Sequence, residues 1–110
     1  MASAMTRAMS PAEMEARAGE VAGLLKTLSH PARLRLACTL AEGEYAVGEL
    51  EERLGIRQPT LSQQLGALRE AGVVTTRREA KQVFYRLSEE KAARLIEALY
   101  AIFCEPEQLP

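Results

Sequence analysis

On either side of Gly72 the apolar residues follow two different rules. Leu61, Leu65 and Leu68 recur at helical intervals; beyond the glycine come two β-branched or aromatic runs, Val73 to Arg78 and Gln82 to Leu87, around Glu79-Ala80-Lys81. The first pattern predicts an amphipathic helix and the second a two-stranded hairpin. Upstream, Val47, Leu50 and Leu54 predict a short helix that ends in a tight turn at Gly55-Ile56. Helix, turn, helix and hairpin in that order leave few folds open.

The flanks add three more helices. Ser10-Pro11-Ala12-Glu13 has the form of a capping box with proline at the first helical position. It opens a helix to about Leu28, with Val21, Leu24, Leu25 and Leu28 on one face. Ser29-His30-Pro31 breaks the chain and restarts it as a second helix, Pro31 to Glu42, apolar around much of its girth and therefore central. Gln58-Pro59 starts the fourth helix. Ser88 is expected to cap a last one, with Ala92, Leu95, Ile96, Leu99, Ile102 and Phe103 as its stripe. The expected class is mainly α with a two-stranded β-wing. The expected organisation is a flexible segment over 1–10, one folded domain over 11–104 and a tail over 105–110.

A chain of 110 residues suits one domain, and one that would gain from burying more surface in an oligomer. No apolar run approaches the roughly 18 residues of a membrane span, and no export signal is evident. With two cysteines only, a reducing, cytoplasmic setting is expected, where a permanent disulfide is not the default.

Net charge is −1, but it is unevenly distributed. Residues 57–86 hold Arg57, Arg69, Arg77, Arg78, Lys81 and Arg86 against Glu70 and Glu79, a net of +4, whereas residues 87–110 carry −3. One basic block in an otherwise acidic chain is the footprint expected of a nucleic-acid-binding face. In a helix-turn-helix the second helix enters the major groove. Here that helix offers Thr60, Ser62, Gln63 and, at its start, Gln58, side chains suited to base edges, and residues 58–68 carry no charge. Arg77, Arg78, Lys81 and Arg86 on the hairpin are placed to neutralise phosphates. Together these predict a winged helix-turn-helix module with double-stranded DNA as its partner. Enzyme chemistry finds little support: there is no Asp for a Ser–His–Asp set, no Gly-rich phosphate loop and no Cys-x-x-Cys, and no cofactor is expected.

The segments Leu25-Lys26-Thr27-Leu28-Ser29-His30-Pro31-Ala32-Arg33-Leu34, Gln58-Pro59-Thr60-Leu61-Ser62-Gln63-Gln64-Leu65, Leu68-Arg69-Glu70-Ala71-Gly72-Val73-Val74 and Phe84-Tyr85-Arg86-Leu87 resemble the ArsR/SmtB family of bacterial repressors over about residues 20–103. The resemblance implies a homodimer built on the first and last helices, a palindromic operator and release by an inducer. The family's metal sites are not matched. Ala46 and Gly48 stand where the arsenic-sensing pattern has thiols, and residues 88–104 contain neither His nor Asp. His30, the one histidine, is better read as a helix-start residue, so no metal site is expected.

Cys38 and Cys104 remain, 66 positions apart. Cys38 falls at the edge of the apolar face of the second helix. Arg35, one turn away, would favour its thiolate, making Cys38 the expected first nucleophile and Cys104 the resolving thiol. A cysteine on the second helix and another on the last is also similar to the persulfide-responsive BigR/SqrR branch of the family. That resemblance implies a disulfide or polysulfide crosslink formed in response to persulfide or sulfane sulfur. A thiophilic metalloid or Cu(I), a general oxidant, and cysteines that serve packing alone are the alternatives.

Overall fold

The computed structural model describes residues 9–104. The expectations for 1–8 and for the tail over 105–110 lie outside them. Five helices and three strands follow in the order α1 (Pro11–Leu28), α2 (Pro31–Glu42), β1 (Tyr45–Ala46), α3 (Val47–Leu54), α4 (Thr60–Glu70), β2 (Val74–Glu79), β3 (Gln82–Leu87) and α5 (Glu90–Phe103).

The helix starts show why local sequence decides so much here. The first N–H groups of a helix lack intrahelical acceptors and take side-chain oxygens or nitrogens instead. At α1 the capping box forms reciprocally: Glu13 N–H donates to Ser10 Oγ at 3.1 Å, and Ser10 N–H to Glu13 Oε1 at 2.9 Å. At α2 the Ala32 N–H donates to His30 Nδ1 at 3.1 Å, so the histidine is a cap, as its position predicts. The cap of α5 differs from expectation. Glu89, not Ser88, accepts the Ala92 N–H, and Ser88 Oγ instead donates to the Gly72 carbonyl, pinning the end of the wing to the end of α4. A carboxylate has the longer reach and also suits the positive end of the helix dipole.

The core gathers Leu36, Leu50, Leu61, Leu65, Leu68 and Val73, all fully buried, with Ala37, Leu40, Ala92 and Ile96. Burial of each large aliphatic side chain is worth about 1.5–3 kcal/mol. Helix α2 contributes to this core along most of its length and packs against α1, α4 and α5, which makes it central, as its apolar girth implies. Gly55 ends α3 with φ +70, a left-handed conformation in which a side chain would be strained, and thereby sets the turn into α4.

The expected two-stranded wing forms as β2 and β3, and a third strand that the sequence pattern does not show joins it. Tyr45 and Ala46 pair antiparallel with Tyr85 and Phe84, placing β1 beside β3 and giving the order β1-β3-β2. Two residues are too few to show a period of two in sequence. The apolar stripe of α5 also splits. Ala92 and Ile96 are buried, but Ile102 is 69% and Phe103 77% exposed. On α1, Val21 and Leu25 are likewise about half exposed, so the outer helices keep apolar faces that nothing in this chain covers among the described residues.

Candidate functional site

Helix α4 is held by its buried stripe of Leu61, Leu65 and Leu68, which turns Thr60, Ser62 and Gln63 outward and exposed. Gln58 is exposed too, but it has a local duty. Its Oε1 accepts the Ser62 N–H at 3.0 Å, capping a helix that begins at Thr60 rather than at Gln58. Its amide NH2 remains available. On the inner flank, Arg33 of α2 donates from Nε to Gln64 Oε1 at 3.0 Å and from Nη1 to the Thr27 carbonyl at 3.2 Å, so one guanidinium braces α4 against α1 and α2.

The wing does not present its four cations alike. In the β2–β3 register Arg77 faces Phe84, Arg78 faces Val83 and Thr75 faces Arg86. Successive side chains alternate between faces, so Arg77, Phe84 and Arg86 share one face and Arg78 and Val83 the other. Arg77 is engaged three ways. Its Nε and Nη2 donate to Glu44 Oε2 and Oε1, both at 2.8 Å; its Nη1 donates to Glu79 Oε1 at 2.6 Å; its guanidinium carbon lies 4.6 Å from the centroid of the Phe84 ring. The Arg77 fork, with Arg77 and then Arg86 nearby as positive charges, holds the Glu44 carboxyl below the usual carboxylate range. Arg78, Lys81 and Arg86 are exposed and have no ion-pair partner among the described residues. Ala80 makes the turn with φ +56, and the adjoining Lys81 lines a shallow cleft with Ala46, Val47 and Gly48.

Glu44 and Phe84 are the residues that sequence reasoning missed. The Glu44–Arg77 pair spans 33 positions, and only the β1–β3 pairing brings its ends together. A related cluster sits just before it. Arg53 stacks 4.7 Å from the Tyr45 ring centroid and donates to Glu42 Oε1 at 3.3 Å.

Both thiols are free and exposed. They are also near enough for charge on Cys104 to be felt at Cys38. The Cys38 thiol is pushed up, first by partial burial of the sulfur, then by Cys104 and by Glu42. This corrects the expectation that Arg35 activates Cys38. Arg35 Nη2 donates to the Leu54 carbonyl at 2.6 Å, tying α2 to α3, and every influence resolved at Cys38 disfavours the thiolate. Cys104 sits at the C-cap of α5, its N–H donating to the Tyr100 carbonyl at 2.8 Å. Among the described residues no group of three or more His, Cys, Asp or Glu is placed to hold a metal ion, and no helix is long and apolar enough to cross a membrane.

Comparison with known proteins agrees with this geometry. Residues 30–76 match the model of the bacterial regulatory protein, arsR family. The chain is 80% identical over 95 residues to the biofilm growth-associated repressor of Agrobacterium fabrum, covering 86% of this chain and 81% of that protein. It superposes on the crystal structure of the transcriptional repressor BigR from Xylella fastidiosa with a TM-score of 0.81 at 68% identity, covering 88% of this chain and 99% of that one. It also superposes on a homodimeric winged helix-turn-helix DNA-binding domain from Mycobacterium bovis, with a TM-score of 0.71 at 32% identity, over 88% and 89% of the two chains. The chain thus belongs to the arsR family of bacterial regulatory proteins, as a DNA-binding winged helix-turn-helix transcriptional repressor of the BigR type and not an enzyme.

Proposed function

We propose that this repressor acts in the cytoplasm as a homodimer on operator DNA and is released when Cys38 and Cys104 are crosslinked in response to persulfide or sulfane sulfur. The observation that carries the reading is the thiol pair itself. Two cysteines 66 positions apart are both exposed and both unpaired, and Cys104 lies near enough to Cys38 to push its thiol up. Apolar side chains left bare on α1 and α5, Ile102 and Phe103 above all, support the dimer. A groove reader also gains from a second half-site about one helical turn away. Thr60, Ser62, Gln63 and the Gln58 amide read base edges, while Arg78, Lys81 and Arg86 meet phosphates.

The chemistry balances without a metal. A protein thiolate attacks the sulfane sulfur of a persulfide R–S–SH. The S–S bond breaks, R–S⁻ leaves, and the protein carries Cys–S–SH. The second thiolate attacks the inner sulfur of that group and expels hydrosulfide, leaving a disulfide. If the attacking cysteine is itself a persulfide, the same displacement leaves a trisulfide. A plain disulfide needs Cα atoms within about 7 Å, and a longer sulfur chain tolerates a wider gap. The raised pKa of Cys38 removes the physical ground for giving it the first attack. The crosslink ties α2, the central helix, to α5. It releases DNA to the extent that the crosslinked state holds the two recognition helices at an unfavourable spacing.

The test is a titration of the complex with DNA from upstream of the protein's own gene, followed by fluorescence anisotropy and mass spectrometry. Glutathione persulfide is expected to link Cys38 to Cys104 and to weaken binding by about 5- to 150-fold. Cys38→Ser and Cys104→Ser are expected to stay bound. Free thiols with unchanged affinity would reject the mechanism. Release by arsenite, Cu(I) or peroxide, and not by persulfide, would assign the thiols to another signal. Persulfide release that survives Cys38→Ser would make the cysteines packing residues.

A further inference from the structure

The wing cation with the most partners is the least free to meet DNA. Arg77 gives both arms of its fork to Glu44 and a third N–H to Glu79, and it lies over Phe84. A guanidinium facing a carboxylate through two parallel N–H···O bonds is a geometrically defined joint, not a loose charge contact. The joint links two parts of the chain that local structure leaves independent. Arg77 and Phe84 belong to the hairpin, whereas Glu44 stands between α2 and β1, next to Gly43 at the end of α2. Apart from it, the wing is tied back by the two rungs of β1 on β3, Tyr45 with Tyr85 and Ala46 with Phe84, by the packing of Tyr85 and Leu87 on the core, and by the Ser88–Gly72 bond at its base. Residues 77–82, the outer end of the hairpin, are exposed beyond those ties, and a hairpin end without packing of its own is free to swing.

We propose that Arg77 is a positioning residue and not a phosphate ligand. With Glu44 and Phe84 it forms a strut that fixes the angle of the wing, so that Arg78 and Lys81 at its tip meet the backbone of the DNA. The pairing neutralises Arg77 and leaves those two cations, with Arg86, as the charges the wing offers outward. The strut begins immediately after α2, the helix that carries Cys38, so wing angle and α2 position are mechanically joined. The inference rests on the reading of the wing as a DNA contact.

The experiment measures operator affinity against salt concentration for the full chain and its variants. Each phosphate contact contributes about 0.9 to the slope of log K against log salt. The strut predicts that Glu44→Gln/Arg77→Gln, which leaves the net charge unchanged, weakens binding by about two- to fivefold with no change in slope, the scale of an exposed ion pair. It predicts that Arg77→Lys, which keeps the charge and loses the fork, weakens binding nearly as much as Arg77→Gln. Amide hydrogen exchange in residues 74–87 is expected to quicken in the double variant. A phosphate ligand behaves oppositely. Arg77→Lys would stay near the parent affinity, and Arg77→Gln would flatten the slope by about 0.9. Either result, or unchanged affinity in all three variants, overturns the proposal. Failure of the underlying wing reading shows separately, as an Arg78→Ala/Lys81→Ala variant that leaves the slope untouched.

Discussion

Helix α4 and the wing are neighbours of opposite chemistry. The helix has an uncharged outer surface, Thr60, Ser62 and Gln63, on a stripe of three leucines sunk completely in the core. The wing has four cations on a hairpin that is mostly exposed or half-buried outside Val74. Rigidity comes to α4 from burial and to the wing from polar ties: the Glu44–Arg77 fork, the Ser88–Gly72 bond and two rungs to β1. Base-edge readout, as proposed for Thr60, Ser62 and Gln63, needs hydrogen bonds placed to within a fraction of an ångström, which a helix anchored by three buried leucines supplies. Phosphate attraction tolerates movement, and a less rigid element suffices.

The comparison breaks most severely at the packing under α4. Leu65→Ala is expected to lower the unfolding free energy by about 2–5 kcal/mol, because a fully buried side chain leaves a cavity that its neighbours fill only in part. Thermal unfolding followed by circular dichroism measures this. A fall below about 1 kcal/mol would show that the site collapses and that α4 is less firmly held than its burial implies. Next in size is Gln63→Ala. It should relax discrimination at one base pair of each half-site by about 1–3 kcal/mol while leaving the salt slope unchanged, as competition with single-substituted operators would show.

Arg78→Ala sharpens the contrast from the wing side. It is expected to weaken all sequences alike and to reduce the salt slope by about 0.9, so a variant that alters base preference would move the wing into the reading surface. The smallest effect is one of pH. Glu44 has its carboxyl below the ordinary value of 4.5, so the tie it makes with Arg77 is fully present above that value and is lost as pH falls through the lowered one. Hydrogen exchange in the wing should therefore stay slow as pH drops to 4.5 and quicken only below it. Quickening already above pH 4.5 would mean that Glu44 is not held by Arg77.

Much of the architecture was legible in the sequence because the signals were local. Five helices, their order and the hairpin between the fourth and fifth follow from apolar spacing, prolines and capping residues, and the capping box at Ser10 and Glu13 formed as its spacing predicts. Legibility failed where a decision needed partners distant in the chain. Strand β1 is two residues long and exists only because β3 lies beside it. Ser88 looked like a cap but turned to the Gly72 carbonyl, and Glu89 took its place. Arg35 looked like an activator of Cys38 but serves the Leu54 carbonyl.

The sequence by itself determined the helix and hairpin order, the uncharged outer face of α4, the basic bias of residues 57–86 and the presence of two thiols, since periodicity and composition are properties of neighbours along the chain. Only the tertiary structure decided that Arg77 is held by Glu44, that Cys104 lies within electrostatic reach of Cys38, and that the end of α5 stays bare. Those outcomes depend on distances between residues 33 to 66 positions apart, and such distances are fixed by how the elements pack and not by what any one of them contains.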